Sequence, residues 1–324
     1  MIFEMKEKET ELWTDNPEYV RLYMENPGDM QPFNVRAVRD TDLNPFLFEA
    51  FEGKPLFFGR VKVPGWKAAL ILKRAPQSHF DLLVKHTRSR KNIPAPLFML
   101  SGSSAHCHGQ RGRPWKAVEG NLHMAVLLTP RRSITGFGPG ILSLAAVSVV
   151  ETLDAVAGLK GKAGIKWVND ILLGGAKVAG FLVHTQSTGD RIHSIVIGLG
   201  INVEKTPAVP ADPFVPRIVS LKDISSRKSP STRKDILSLL LDRILRNYMI
   251  LLEKGPAPLV DLYRRRSVVV GRRVDIVSDP LHTEDPVDIV ASGVVERIGD
   301  HLELFLKDLE PPVSRGRLIL RDSL

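Results

Sequence analysis

The sequence predicts an α+β protein: a mixed, largely antiparallel sheet flanked by helices and followed by a small β-barrel. Three observations carry this. Between Ile165 and Ile197, short apolar runs alternate with turns such as Gly174-Gly175 and Thr188-Gly189-Asp190, the pattern of hairpins. Two stretches, 139–157 and 232–253, repeat apolar residues at helical spacing. After Arg264-Arg265-Arg266 the text changes to short β-rich runs.

Taken in order, residues 1–65 are charge-rich and broken by Asn16-Pro17, Asn26-Pro27 and Asn44-Pro45, and they predict an amino-terminal extension without a clear helix-turn-helix. Phe57–Arg74 alternates loosely and ends in Ala69-Leu70-Ile71-Leu72, a strand pattern. Phe80–His86 reads as a short helix and Pro96–Leu100 as a buried strand. Asn121–Leu128 reads as a strand with Leu122, Met124, Val126 and Leu128 on one face. Pro139 suits the first turn of a helix reaching about Ala157. Ile165–Val168, Ile171–Leu173, Val178–His184 and Ile192–Ile197 follow as strands, then the helix carrying Ile236, Leu240, Ile244, Tyr248 and Leu251. The last runs are Val268–Val270, Arg273–Val277, Val287–Val290, Val294–Ile298, Leu302–Leu306 and Leu318–Leu320. The division expected is 1–65, an extension of unknown role; 66–262, a main domain; and 263–324, a small β domain.

At 324 residues with 43% hydrophobic side chains, the chain has material for two cores. Its longest apolar-rich run, Ile141–Val150, is about half of the roughly 20 residues that a membrane span needs. The start, Met1–Glu7, lacks a basic segment followed by an apolar one, so a secretory signal is not expected. The single cysteine, Cys107, cannot form an internal disulfide, which agrees with a reducing compartment and a cytoplasmic location. The net charge of +9 is spread through the chain without a block of five Lys/Arg or interleaved aromatics, so a solvated basic surface accounts for it better than nucleic-acid binding.

Four segments carry candidate chemistry. His108-Gly109-Gln110-Arg111-Gly112-Arg113-Pro114-Trp115, with Glu119-Gly120-Asn121-Leu122 after it, can bring backbone N–H groups and two guanidinium groups to an anion; a plain surface loop has the same composition. Lys166-Trp167-Val168-Asn169-Asp170 ends in oxygen donors suited to Mg²⁺ with nucleotide phosphates, or in an ordinary Asn-Asp turn. Lys177 opens the apolar run Val178–Val183, and a lysine there is costly to bury unless it meets a negative charge. Gly198-Leu199-Gly200-Ile201-Asn202-Val203 permits close approach of a ligand, or marks a β-bulge. His106-Cys107-His108 could begin a zinc site, but the sequence offers no second His/Cys cluster to complete four ligands. Of the other histidines, His86, His123, His193, His282 and His301 read as surface or strand-packing residues.

In this order and spacing, the four segments resemble the catalytic domain of biotin protein ligases, whose pattern is approximately G-R-G-R-R-G-R-x-W, G-N-L before a strand, K-W-P-N-D, K-x-A-G-I-L-V-E and G-x-G-I-N-V. The likeness is strong from Ser78 to Val203 and weaker through the helix at 232–253 and the terminal β domain. It implies a class II synthetase-like ligase core with a small SH3-like carboxy-terminal barrel. It further implies ATP, Mg²⁺ and biotin as ligands, an acyl-adenylate intermediate, and transfer to a lysine on a hairpin of an acidic biotin-accepting carrier domain. By that likeness Lys177, Arg111 and Gln110 are the catalytic positions. Ser78, His79, Ser104, His108, Gly109, Gly180, Gly198 and Gly200 surround the acid. Arg111, Arg113, Trp115, Asn169, Asp170, Lys177 and Asn202 face the nucleotide, with Asn169 and Asp170 nearest the metal. No DNA or membrane partner is expected, and a homodimer fits the family.

This sequence departs from the family mainly at the acid end. Cys107, His108 and Gln110 replace a glycine and two arginines; the arginine replaced by Gln110 is the one that holds the adenylate. Ser104 stands for a glutamine, Ser78-His79-Phe80 for S-T-N, and His184 for a glutamate. Three readings therefore follow: a biotin ligase, a ligase for another acid such as lipoate or octanoate, or a ligand-binding relative without turnover.

Overall fold

The computed structural model describes residues 9–25, 27–35, 43–89, 93–224, 232–278 and 288–321. Asn26, His282, Val287 and the Met1–Glu7 start lie outside them. The first part of the chain forms β1 (Thr10–Thr14), α1 (Pro17–Val20), β2 (Gln31–Phe33), α2 (Leu43–Ala50), β3 (Leu56–Val61), β4 (Ala68–Ala75), α3 (His79–Arg88) and β5 (Leu97–Ser104). Next come β6 (Leu122–Leu128), β7 (Arg132–Ser133), α4 (Phe137–Ala155), β8 (Ala163–Lys166), β9 (Asp170–Leu173), β10 (Ala176–Thr188) and β11 (Arg191–Ile201). Then follow α5 (Leu221–Ile224), α6 (Arg233–Lys254), α7 (Ala257–Arg265), β12 (Arg273–Val277), β13 (Ile289–Ile298), β14 (Leu304–Leu306) and β15 (Arg317–Leu320).

The main sheet runs β2-β3-β1-β4-β5-β6-β11-β10-β9-β8, with β7 beside β11. Its pairings are antiparallel except β1 with β4 and β4 with β5. The segment expected as an extension is thus built into this sheet, with β1 between β3 and β4. Its breaks conceal short elements: the Asn16 side chain caps α1 by accepting from Tyr19 N–H, with Pro17 at the first position, and Pro32 sits on edge strand β2.

Alternation sends each central strand's residues to two different cores. Phe98 and Leu100 of β5, Leu122, Met124, Val126 and Leu128 of β6, and Ile195, Ile197 and Ile201 of β11 join one core, which α4, α6 and α7 cover. Leu97, Met99, Ala125, Leu127 and Val196 join the other, beneath α2 and α3. Helix α4 is rich in apolar residues from Ile141 to Leu153, and these are buried in the first core. Helix α6 begins at a capping box, Thr232 with Asp235, at the predicted start.

The terminal strands form a separate four-stranded antiparallel sheet, β14-β13-β12-β15. The two runs expected around 287–298 are joined in one strand, β13. Val268–Val270 forms no strand; instead, the N–H of Val268 donates to Ile165 O and anchors the chain to β8. Among the contacts that fasten this sheet to the main body, Arg264 Nε donates to Ile298 O at 2.9 Å and Trp167 Nε1 donates to Leu302 O at 2.6 Å, while Arg266, at the end of α7, makes a bidentate pair with Asp154 of α4.

The Trp167 bond is buried, with Leu302 only 2% exposed. Trp167→Phe leaves that carbonyl without its donor, and the expected loss is about 1–3 kcal/mol of folding stability. Chemical denaturation of the two proteins measures it; equal midpoints and slopes would show that the bond does not fasten the two sheets.

Candidate active site

Strand register builds the site. Ser101 of β5 pairs with His123 of β6, His123 with Gly200 of β11, Gly200 with Gly180 of β10, and Gly180 with Asp170 of β9. These five residues form one row across five strands, on the face opposite Leu199 and Ile201. In the next row, Met99 pairs with Ala125, Ala125 with Gly198, and Gly198 with Leu182. Glycine in the middle of both rows leaves a trough in a sheet that is otherwise covered. A Cβ at Gly200 would run into the Trp115 indole, and one at Gly198 would lie 3.1 Å from the Phe80 ring. The trough is the floor of a cleft between the start of α3, the loop 107–116, the loop 207–218 and β15.

One end of the cleft is charged. Lys177 Nζ lies 2.6 Å from Asp170 Oδ1 and 5.5 Å from the centre of the Trp115 ring. Lys166 is 5% exposed and donates from Nζ to Phe214 O at 2.6 Å; burial pulls its pKa down while Asp170 opposes the shift. Asn169 Nδ2 donates to Phe181 O at 2.8 Å, which commits the nitrogen and leaves the oxygen as the atom able to bind a cation. Arg317, from the terminal sheet, stacks on Phe214 at 3.3 Å and reaches Asp212 at 4.0 Å.

The loop 107–115 closes on itself. Gly109 N–H donates to Arg113 O at 2.6 Å, and Trp115 N–H donates to Cys107 O at 3.2 Å. Arg111 occupies the exposed tip at φ +58°, followed by Gly112 at +71°. His108 ties the loop to α3: its Nε2 is 2.8 Å from Asp81 Oδ2 and its Nδ1 is 2.9 Å from Gly109 O. Both partners are acceptors, so the two bonds are made together only by the protonated ring, with a hydrogen on each nitrogen. Burial alone would lower the His108 pKa, but these bonds and the Asp81 charge raise it overall.

The other end is lined by buried polar side chains. Ser78 caps α3 by accepting from Asp81 N–H. His79 is 5% exposed, and its Nε2 has no hydrogen-bond partner among the described residues. His123 accepts from Trp115 Nε1 at 3.3 Å and donates to Val118 O at 3.0 Å. Burial lowers the pKa of both rings, that of His79 to about 3 with a contribution from His123.

Of the residues singled out in the sequence, Ser78, His79, His108, Gly109, Gln110, Arg113, Trp115, Asn169, Asp170, Lys177, Gly180, Gly198, Gly200 and Asn202 line this cleft. Two do not. Arg111 points from the loop tip, and Ser104 lies outside the lining with its Oγ accepting from His106 N–H. Asn202 lines the cleft, but its amide is committed to Asn121 and Val219 O, so it shapes the turn. His123, expected at the surface or in strand packing, is a wall of the cleft. Phe80, which the sequence places at the acid end as part of Ser78-His79-Phe80, also lines the cleft, whereas Ser101, Asp212, Phe214 and Arg317 were not legible as site residues, because register, the loop 207–218 and the docked terminal sheet bring them in. Lys166 had a signal, as the first residue of the Lys-Trp-x-Asn-Asp motif.

Residues 106–202 match the biotin/lipoate A/B protein ligase family. The chain is 30% identical over 195 residues to the bifunctional ligase/repressor BirA of Bacillus subtilis, covering 57% of this chain and 56% of that protein. It thus spans about half the length of that relative. It is 29% identical over 221 residues to the biotin--[acetyl-CoA-carboxylase] ligase of Mycobacterium tuberculosis, covering 65% of this chain and 75% of the other. Its fold is similar to the biotin protein ligase of Aquifex aeolicus solved in complex with biotin and ATP, with TM-score 0.59, 21% identity and coverage of 79% of this chain and 99% of that one. The resemblance to biotin protein ligases drawn from the motifs is borne out.

The His108–Asp81 pair sets a pH dependence. A folded-state pKa raised above the unfolded value of about 6.5 means the pairing stabilises the loop fully below that value and is lost as pH rises through the folded-state pKa. Amides of residues 107–113 are expected to exchange hydrogen faster as the pH rises through that point, after correction for intrinsic rates. Asp81→Asn should lower the His108 pKa in an NMR titration. An unchanged His108 pKa in that variant would show that the pair does not hold the loop.

Proposed function

We propose that this chain is an ATP-dependent biotin protein ligase, which forms biotinyl-AMP and passes the biotinyl group to a lysine of a carboxylase carrier domain. The observation that carries the reading is the glycine trough that ends at Lys177 and Asp170. A trough lined by backbone accepts a flat acyl chain, and Lys177 stands where its carboxylate would arrive. The names of the relatives, and the biotin and ATP in the Aquifex aeolicus complex, support the same acid and the same nucleotide.

In the first step, a carboxylate oxygen attacks the α-phosphorus of ATP and pyrophosphate leaves. Two anions must approach, so cations have to offset the repulsion. Lys177 does so once it turns from Asp170 toward the reacting oxygens, while Lys166 and Arg113 add positive charge to the same cleft. Mg²⁺ bound with ATP would neutralise part of the triphosphate, and the oxygens of Asn169 and Asp170 are the donors of suitable chemistry to hold it. Trp115 roofs the floor and limits water, which protects an adenylate from hydrolysis. In the second step, the neutral amine of the acceptor lysine attacks the acyl carbon, forming an amide and releasing AMP and a proton.

The acceptor on this reading is an acidic carrier domain that presents its lysine on a hairpin, and the basic surface speeds its arrival. The terminal sheet corresponds to the family's SH3-like domain, and the setting is cytoplasmic. The Bacillus subtilis relative is by name also a repressor; for this chain we propose ligation alone. A ligase for a different acid is the second reading, favoured by Phe80 lying over Gly198 where the acyl chain would pass.

ATP–pyrophosphate exchange with biotin, lipoate, octanoate or no acid tests both readings. Exchange with biotin that falls by about 10²–10³-fold in Lys177→Gln is expected. Exchange with a different acid alone selects the second reading, and exchange with none of them removes both. Restoring a guanidinium beside the adenylate, Gln110→Arg, should lengthen the half-life of bound acyl-AMP in a chase experiment. An unaltered half-life would show that the missing charge does not govern retention.

A further inference from the structure

Arg233 opens α6 and joins distant parts of the chain, although it does not line the cleft. A cation at a helix N-terminus faces the positive end of the helix dipole, so the position is unfavourable unless other charges compensate. Here two carboxylates do. Its Nε lies 2.9 Å from Glu204 Oε1, and one terminal nitrogen lies 2.5 Å from Glu119 Oε1. That same nitrogen donates to Tyr23 Oη at 3.0 Å, and the guanidinium sits 5.2 Å from the centre of the Tyr23 ring. The Tyr19 hydroxyl donates to Glu119 at 2.7 Å, which leaves Tyr23 to donate to Tyr19 across 2.9 Å. Burial above all, and then Tyr23 and Glu119, push the Tyr19 pKa above the ordinary tyrosine range, so it keeps its proton. The four side chains thus close a ring of hydrogen bonds. Gly102 of β5 makes room for it, because a Cβ there would run into Tyr19 Oη and the Glu119 carboxylate.

The two carboxylates stand at the roots of the two loops that wall the cleft. Glu119 lies between loop 107–116 and β6, and Glu204 between β11 and loop 207–218. The roots are also tied to each other. Glu204 N–H donates to Gly120 O at 3.1 Å, and Oδ1 of the fully buried Asn121 accepts from Val203 N–H and Lys205 N–H. On the first root, Val118 O accepts from His123, which also holds the Trp115 indole. We infer that Arg233 is a positioning residue: by holding Glu119 and Glu204 together from outside the cleft, it keeps both loops set for ligand, and the tyrosine pair of the amino-terminal segment holds it in turn. The inference rests on the acid-activating reading, and it gives the amino-terminal segment a role. A cleft formed in only a fraction of the molecules binds each ligand more weakly in proportion to that fraction, whereas the saturated complex reacts at its usual rate. Loss of Arg233 therefore weakens acid and nucleotide together and spares the maximal rate.

The experiment compares full-length wild type, Arg233→Met, Arg233→Lys and Glu204→Ala. Calorimetry measures the binding of biotin and of ATP separately, and ATP–pyrophosphate exchange at saturating ligands measures kcat. Hydrogen exchange reports on residues 107–121 and 202–218. Methionine keeps the aliphatic length without the charge, whereas lysine keeps a charge without the fork that serves two carboxylates. In Arg233→Met both affinities are expected to fall about 10-fold with kcat within about 3-fold of wild type, as for a formed fraction of about one tenth. Amides of both loops should exchange faster while those of the terminal sheet are unchanged. Arg233→Lys should protect one loop root and recover part of the affinity. Glu204→Ala removes one arm and should loosen 202–218 alone; it decides the matter if Arg233→Met does not fold. A lower melting temperature with unaltered affinities, or faster exchange spread evenly over the chain, marks a merely structural residue and overturns the inference. Full recovery in Arg233→Lys, or a fall in kcat with affinities kept, also overturns it. If the wild type supports exchange with none of the acids, the acid-activating reading fails on its own. Hydrogen exchange then judges Arg233 separately, and loop protection in Arg233→Met equal to wild type overturns its role.

Discussion

One constraint organises this molecule: a sheet covered on both faces must leave part of one face bare. Elsewhere each strand sends apolar side chains alternately to two cores, and helices lie over both. At Gly180, Gly198 and Gly200 the alternation continues but the side chain is missing, and the three positions are neighbours through the pairing of β10 with β11. The hydrogen-bonded ladder stays intact while a trough opens, so the floor of the candidate site is the backbone of the sheet itself. Two side chains, Phe80 from the first turn of α3 and Trp115 from the loop 107–116, reach over it.

Electrostatics follows from the same geometry. Lys166 and Asp170 pair across β8 and β9, and Asp170 pairs across the ladder with Gly180, so the sheet itself brings a cation and an anion to the trough's end. Lys177 completes the group from the start of β10, and its ion pair with Asp170 meets the cost of holding an ammonium in a partly buried place. At the opposite end the buried groups are the Ser78 hydroxyl and the His79 and His123 rings, whose pKa burial lowers, and the charge there is the His108–Asp81 pair that ties the loop to α3.

The terminal sheet belongs to this arrangement physically. Trp167, within the motif that ends in Asn169-Asp170, donates to Leu302 of that sheet, and Arg317 stacks on Phe214 at the cleft's rim. The amino-terminal segment is also integral. Tyr19 and Tyr23 meet Glu119 and Arg233, and Arg233 also holds Glu204, so the turns on either side of Asn121 and Asn202 are braced from behind. A chain whose composition suggested three consecutive pieces is in fact interlocked around one cleft.

The sequence by itself determined the α+β class, the longer strands and helices between Phe80 and Leu251, and the motifs that bring Asn169, Asp170 and Lys177 to the candidate site. These are local or motif-borne properties: periodicity, glycine turns, and the Lys-Trp-x-Asn-Asp and Gly-x-Gly patterns keep their meaning without knowledge of distant partners. The first 65 residues were not legible, because β1, β2 and β3 are short and gain their stability from pairing with distant strands rather than from their own pattern. Only the tertiary structure decided that Arg111 sits at an exposed tip while Gln110 and Arg113 line the cleft, a matter of φ at two residues of the loop. It alone placed His123 in the wall and left one nitrogen of His79 without a partner among the described residues, since register and burial depend on which strands meet, and no single stretch of sequence specifies that.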